Sequence, residues 1–472
     1  MIYNPWPTPP ILKTMHSRMR KQILRFVSSI VSVGLLPFLA FAGEPPPSFY
    51  VPPGDAYYYS GLLFHPADNP LQAILYWSFV LSKDSTDAKA YFNRGYVNEQ
   101  RGNITQAVKD FKRAMSRRPM HLEGLADRCL IKWRLRKPMD VALLDCNESI
   151  RLDTKGPRGY YARGLVKGDA GKTIDALNDF SRVIDLSPQD PSGYYNRGLL
   201  HVEIGNYKKG IEDFSSALRL DPKNAIAFKN RGNAHMTDGD TRVAIMDYTE
   251  AIALDPRYSY AYNNRGIAKE QLGDHDGAIA DYTKAIDLNP QYVFALRNRG
   301  NERVRQGNLK GAIEDFDRTI AIDPDYGTAY GERGIARAEQ DNYQAAIEDY
   351  SQAIKLNPEG ADWYYRRGVA KYTSGDSSGA GTDYSNALLR DSNHIDAYFG
   401  RGCVKAKSED WPGAIEDYTQ ALARNPKYAE VYYNRAQAKE ALGDHVGAKE
   451  DYRMALKIKP EIPMPLFLRN RQ

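Results

Sequence analysis

The sequence predicts an all-α fold, a solenoid of about twelve antiparallel helix pairs, and three observations lead there. Asn264-Arg265-Gly266 is followed by Asp281-Tyr282 and Pro290. The same signs stand 34 residues earlier (Asn230-Arg231-Gly232, Asp247-Tyr248, Pro256) and 34 later (Asn298-Arg299-Gly300, Asp315-Phe316, Pro324). A fixed period of this length belongs to stacked repeats. Within the period a Gly-Asp or Gly-Asn pair recurs, at Gly102-Asn103, Gly205-Asn206, Gly239-Asp240, Gly273-Asp274, Gly307-Asn308, Gly375-Asp376 and Gly443-Asp444. The glycine supplies a left-handed turn that ends one helix, and the acid or amide caps the next. A proline then closes most periods and stops the second helix.

The first 43 residues stand apart. They hold Lys13, Arg18, Arg20, Lys21 and Arg25 and no acid, then an apolar run from Phe26 to Ala42 that ends in Ala40-Phe41-Ala42. This is the pattern of a removed export signal (1–43), with Met19 as an alternative start. The run is short for a membrane span and contains Pro37. The expectation is an exported chain, in a bacterial periplasm; secretion, or tethering by an uncleaved signal, is the alternative. Without those five basic residues the chain has 59 basic and 59 acidic residues, so the net +5 belongs to the signal. A neutral body argues against nucleic acid as a partner.

Residues 44–53 hold Pro45, Pro46, Pro47, Pro52 and Pro53 and read as an extended spacer. Residues 54–87 form a degenerate first unit, a cap, in register through Tyr57, Gly61, Ala73 and Trp77. Eleven further units fill 88–462. Thr154 and Ser392 take the place of two closing prolines, and unit 122–156 has one extra residue, at Arg136-Lys137-Pro138. In unit 259–292 the helices are expected at 259–272 and up to about 289, with Gly266, Ala278 and Ala285 allowing close approach and Tyr262 and Tyr282 filling the space beside them. Such a pair cannot bury its faces alone.

The aromatic at Tyr262, then Gly266, Ala278, Tyr282, Ala285 and Pro290, repeated in nearly every unit, resemble the tetratricopeptide repeat (TPR) family across 54–462. The resemblance implies a right-handed superhelix with an inner groove lined by first helices, and a role in binding proteins. Such arrays commonly finish with a solvating helix. The tail 463–472, with Pro463 and Pro465, is too short and broken for one, so the last face stays uncovered, is met by Leu466, Phe467 and Leu468, or joins another chain. Self-association through this end is one of those outcomes.

An arginine recurs in eleven units, from Arg94 to Arg435, and an aspartate sixteen (once seventeen) residues later, from Asp110 to Asp451. Antiparallel helices bring the two together as an ion pair inside each unit. The asparagine before the arginine is unbroken in four central units, at Asn196, Asn230, Asn264 and Asn298. In TPR proteins this place faces the groove, and an asparagine there can grip the backbone of an extended peptide; the ladder resembles that of the O-linked N-acetylglucosamine transferases. The competing reading is a side chain bonded within the array. Lys229, Asn233 and Asn264 match half of the carboxylate clamp of chaperone-binding TPR proteins; the third unit offers Phe294 and Asn298 instead of a lysine and an arginine, with Arg297 nearby.

Cys129 and Cys146 replace the small residue and the aromatic of the usual packing in unit 122–156, and a disulfide between them fits an oxidising compartment. Cys403 reads as an ordinary thiol. Catalytic signals are decoys. Gly171-Lys172-Thr173 ends like a phosphate loop but lacks the earlier glycine, which is Val166, and follows a helix. The histidines never cluster at metal-ligand spacing, so no metal, cofactor or catalytic residue is expected. The function expected is that of an exported, non-enzymatic scaffold that binds a protein or extended peptide. The alternatives are a regulatory or substrate-binding subunit of a separate enzyme such as a glycosyltransferase, and an envelope-assembly or polysaccharide-export component.

Overall fold

Twenty-three helices and no strand make up the described residues of the computed structural model, which are 70–101, 103–117 and 122–462. The expected signal, the spacer, the first part of the cap and the tail 463–472 lie outside them. The first helix described, Pro70–Lys83, is the second helix of the cap, and buries Trp77 and Leu81 on the unit that follows. Two compact bodies divide between Phe294 and Ala295, within the helix Val293–Arg305.

Unit 259–292 shows why this sequence repeats this hairpin. Its helices are Ser259–Gln271 and His275–Leu288. Gly273 takes φ +80° in the turn, and the Asp274 carboxylate accepts from the Gly277 amide at 3.0 Å, satisfying a donor that the helix start leaves open. Asn308, Asp376, Asp410 and Asp444 cap their helices in the same way. Units without the glycine still make the turn: Arg136, Asp341 and Glu409 adopt φ of 55–65°. Asn289 turns extended before Pro290, so the second helix stops there. Gly171 is likewise a left-handed turn (φ +71°), between the helices Pro157–Asp169 and Thr173–Leu186, so a helix leads into it where a phosphate loop follows a strand.

The close approach rests on one contact. A Cβ on Gly266 would stand 2.6 Å from the Tyr282 ring, and Gly232, Gly300 and Gly402 face Tyr248, Phe316 and Tyr418 as tightly. Ala278, Tyr282 and Ala285 are fully buried. Between units, an isoleucine of the second helix packs on an alanine of the next first helix: Ile211 with the layer of Ala234, Ile245 with that of Ala268, Ile313 with that of Ala336, Ile347 with that of Ala370, and Ile415 with that of Ala438. In the last unit that place is Lys449, which is exposed, and Glu450, Arg453 and Lys457 are exposed on the same helix. The final helix thus carries exposed charges beside the exposed Val446 and Met454.

Candidate functional site: the first-helix face

All eleven arginine–aspartate pairs form. From Arg94–Asp110 to Arg435–Asp451 the N–O distances are 2.6–2.8 Å. The aspartates are at most 5% exposed. They are struts, shut away from any ligand. Two further links were not read from the sequence. Most of the aspartates also bind a cation four residues after the arginine, as Lys269 does Asp281 and Arg303 does Asp315, both within 2.8 Å. Burial would raise the Asp145 carboxyl, but hydrogen bonds from Arg128 and Lys132 outweigh it and hold the group below the usual range. The arginine's other nitrogen reaches back to a side chain sixteen residues earlier in the preceding unit, Arg265 to Thr249 at 3.2 Å and Arg197 to Ser181 at 3.1 Å. The recurring Ser/Thr at that spacing was the signal for it.

Three asparagines of the ladder direct their amide hydrogens inward. Asn196 Nδ2 donates to Tyr161 Oη (3.3 Å) and Ser192 O (2.9 Å), and Asn230 Nδ2 to Tyr195 Oη (2.8 Å). Asn264 Nδ2 donates to Asn233 Oδ1 (3.0 Å), while its own Oδ1 accepts from Asn263 (3.1 Å). All three are buried, and Asn298 is partly exposed. Bonding within the array is what these side chains do here. The asparagine–tyrosine bonds join consecutive units 35 residues apart, a register the bare period does not reveal.

Of the half clamp, the structure brings Asn233 and Asn264 together and buries Lys229 (6% exposed). Asn233 is partly exposed. Its carbonyl oxygen accepts from both Tyr248 Oη (2.8 Å) and Asn264 Nδ2. Those two donors fix the carboxamide, so its amide group turns away from them and keeps access to solvent. Arg297, near the clamp positions in the sequence, is engaged within its own body. Its fork binds both oxygens of Glu332 at 2.7–3.0 Å, and Asn301 Nδ2 adds a third donor at 3.1 Å. Burial disfavours the Arg297 charge, yet Glu332 outweighs that and holds its pKa above the ordinary value.

Cys129 and Cys146 are fully buried and joined by a disulfide. Cys403 receives a hydrogen bond from Tyr418 Oη at 3.6 Å, and burial pushes its thiol up to about 12. Among the described residues no His, Cys, Asp and Glu group could hold a metal ion, and no helix is long and apolar enough to cross a membrane.

Family models described as tetratricopeptide repeats match residues 88–120, 191–224, 259–292, 297–353 and 399–461, and a further TPR repeat model matches 334–375. The chain is an array of tetratricopeptide repeats. Similar solved structures include MamA (22% identity, 34% of this chain and 95% of that one, TM-score 0.33) and YrrB, described as a TPR protein with an unusual peptide-binding site (21%, 41% and 97%, 0.36). A tetratricopeptide repeat protein from Parabacteroides merdae is 20% identical over 56% of this chain and 98% of its own, with a TM-score of 0.42. These likenesses are low by both measures, and the assignment rests on the repeat models and the helix-pair geometry. No curated protein matches the chain. The TPR array is a scaffold fold, built by repetition around buried struts.

Proposed function

We propose that this TPR array is an exported scaffold that holds an extended peptide segment of a partner protein along its first-helix face, in the units around Asn233. The observation that carries the reading is the Asn233 carboxamide. Its acceptor is saturated by Tyr248 and Asn264, and its amide hydrogens are left to face outward. A fixed outward donor on a preordered surface suits a peptide carbonyl or carboxylate, because little freedom is lost on binding. Met236, Thr237, Tyr260 and Ile267, all partly exposed, offer neighbouring surface for side chains. Export is supported by the basic stretch, apolar run and Ala40-Phe41-Ala42 of the first 43 residues.

Selection of random twelve-residue peptides on the full chain, followed by titration against Asn233→Asp, tests this. The aspartate keeps an oxygen for both accepted bonds and puts a charged acceptor where the donor stood. Selected peptides should bind the variant at least about tenfold more weakly, the worth of one hydrogen bond to a charged or well-placed acceptor. Unchanged affinity, or no peptide selected, overturns the reading.

A further inference from the structure

Unit 122–156 breaks the pattern in several ways at once. It has the extra residue, with Arg136 in a left-handed turn (φ 55°). In the other units around it a glycine faces an aromatic ring: Gly95 with Phe111, Gly164 with Phe180, Gly198 with Phe214. Here Cys129 stands in the glycine's place and Cys146 in the ring's, and the two are bonded. The first helix, Leu122–Arg134, also packs differently. It meets the second helix of the preceding unit only sparsely. It leans instead on the first helix of the next unit, through Arg158 to Asp127 (2.9 Å) and Trp133 Nε1 to Asp169 (3.0 Å). The disulfide lies in one layer with Ala126, Ala162 and Val166 of these two units.

We propose that the Cys129–Cys146 disulfide is a redox-set clamp: it replaces the ring-on-glycine contact, and its state decides whether unit 122–156 stays closed. Two thiols bring fewer side-chain atoms to that layer than a glycine and a ring, so the reduced unit has a poorer core than its neighbours. The bond closes a loop of 17 residues, which disfavours the opened unit by about a hundredfold. Closure is a two-electron oxidation. One thiolate attacks a sulfur of an oxidising disulfide, the second displaces that oxidant's thiolate from the mixed disulfide, and the oxidant leaves as a dithiol with both protons. Because both sulfurs are fully buried, exchange in either direction requires the unit to open. The clamp is therefore set while the unit folds, by the compartment in which it folds, and is then insulated from passing reductants.

The test is amide hydrogen exchange on the full chain, oxidised or refolded in dithiothreitol, beside Cys129→Gly/Cys146→Phe, which rebuilds the packing of the other units. The thiol count of the unfolded chain is read in parallel. Expected is one reactive thiol (Cys403) without reductant and three with it. Reduction should speed exchange within 122–152 at least about tenfold and leave 191–292 unchanged. The rebuilt variant should be protected with or without reductant. Three reactive thiols without reductant, or equal exchange in 122–152 in both redox states, overturns the proposal. A rebuilt variant that stays reductant-sensitive does so too, since the sensitivity would then lie elsewhere.

Discussion

Arg297 and Glu332 join consecutive units by a two-pronged ion pair at the 35-residue register where Tyr195 and Asn230 meet through a single neutral hydrogen bond. The same place in the stack is thus served by a charged and by an uncharged solution. A buried pair adds little net stability over a well-packed neutral one, but breaking it by removing one partner is costly.

Glu332→Ala should therefore destabilise the stack by about 2–3 kcal/mol, less than for a fully buried charge, because Arg297 is left charged and only partly exposed. Arg297→Tyr/Glu332→Asn, which installs the neutral pair, should fall within about 1.5 kcal/mol of wild type, as an exchange between one well-paired solution and another. Urea unfolding reads both. Equal loss in the single and double variants would show that position 332 matters for some reason other than its partner.

Arg265→Ala removes the strut to Asp281 and the bond to Thr249 together. Lys269 remains as a second cation on Asp281, so the expected loss is about 2–4 kcal/mol rather than that of a fully orphaned charge. Arg265→Ala/Lys269→Ala should exceed the sum of the two single losses. Unchanged urea unfolding of the Arg265 variant would rule out the strut.

In unit 191–224 a histidine, His201, takes the place of that second cation, 3.9 Å from Asp213. Burial is the largest influence on it and lowers its pKa below the ordinary 6.5; Asp213 opposes this without overcoming it. The folded unit therefore binds this proton less readily than the unfolded chain. Its stabilising contribution is full above about pH 6.5 and is lost as pH falls through the lowered folded pKa. Hydrogen exchange of 191–220 should quicken from pH 7.5 to 5.5 relative to 259–288, and His201→Lys, the residue at the matching place in unit 259–292, should abolish the difference. An unaltered pH response in that variant counts against His201 as the source.

Gly266→Ala sets a methyl group 2.6 Å from the Tyr282 ring, closer than atoms tolerate. The expected cost is about 1–3 kcal/mol, since the ring is fully buried and must move. Gly266→Ala/Tyr282→Leu should recover part of it. Thermal unfolding measures both, and a neutral single variant would mean that the hairpin can widen freely.

The 34-residue period made the helices, turns and caps legible, because each depends on residues close in sequence: Gly273 for the turn, Asp274 for the cap, Pro290 for the stop. The Arg265–Asp281 strut was legible as well, since one turn between two helices fixes which faces meet. The Lys269 contribution escaped notice although its spacing repeats, because a lysine on a helix ordinarily reads as solvated. The first-helix face was harder. Asn230 and Asn264 look alike in the sequence, yet one donates to a tyrosine 35 residues back and the other to an asparagine 31 back. Which it does depends on whether Tyr195 or Lys229 stands in the preceding unit, and on the geometry between units, which no period encodes. Asn233 was legible as one position of the half clamp, but its fixed orientation, set by Tyr248 and Asn264, was not.

The recurring arginine has a consequence for how the chain comes apart. Arg265 holds its own second helix through Asp281 and the preceding unit through Thr249, so freeing one hairpin breaks bonds on both sides of a junction. Neighbouring repeats then share their fate, as links in a zip fastener do. Pulled from its ends, such an array should yield in blocks of several hairpins at a time, and the block boundaries should fall where that backward reach is weakest.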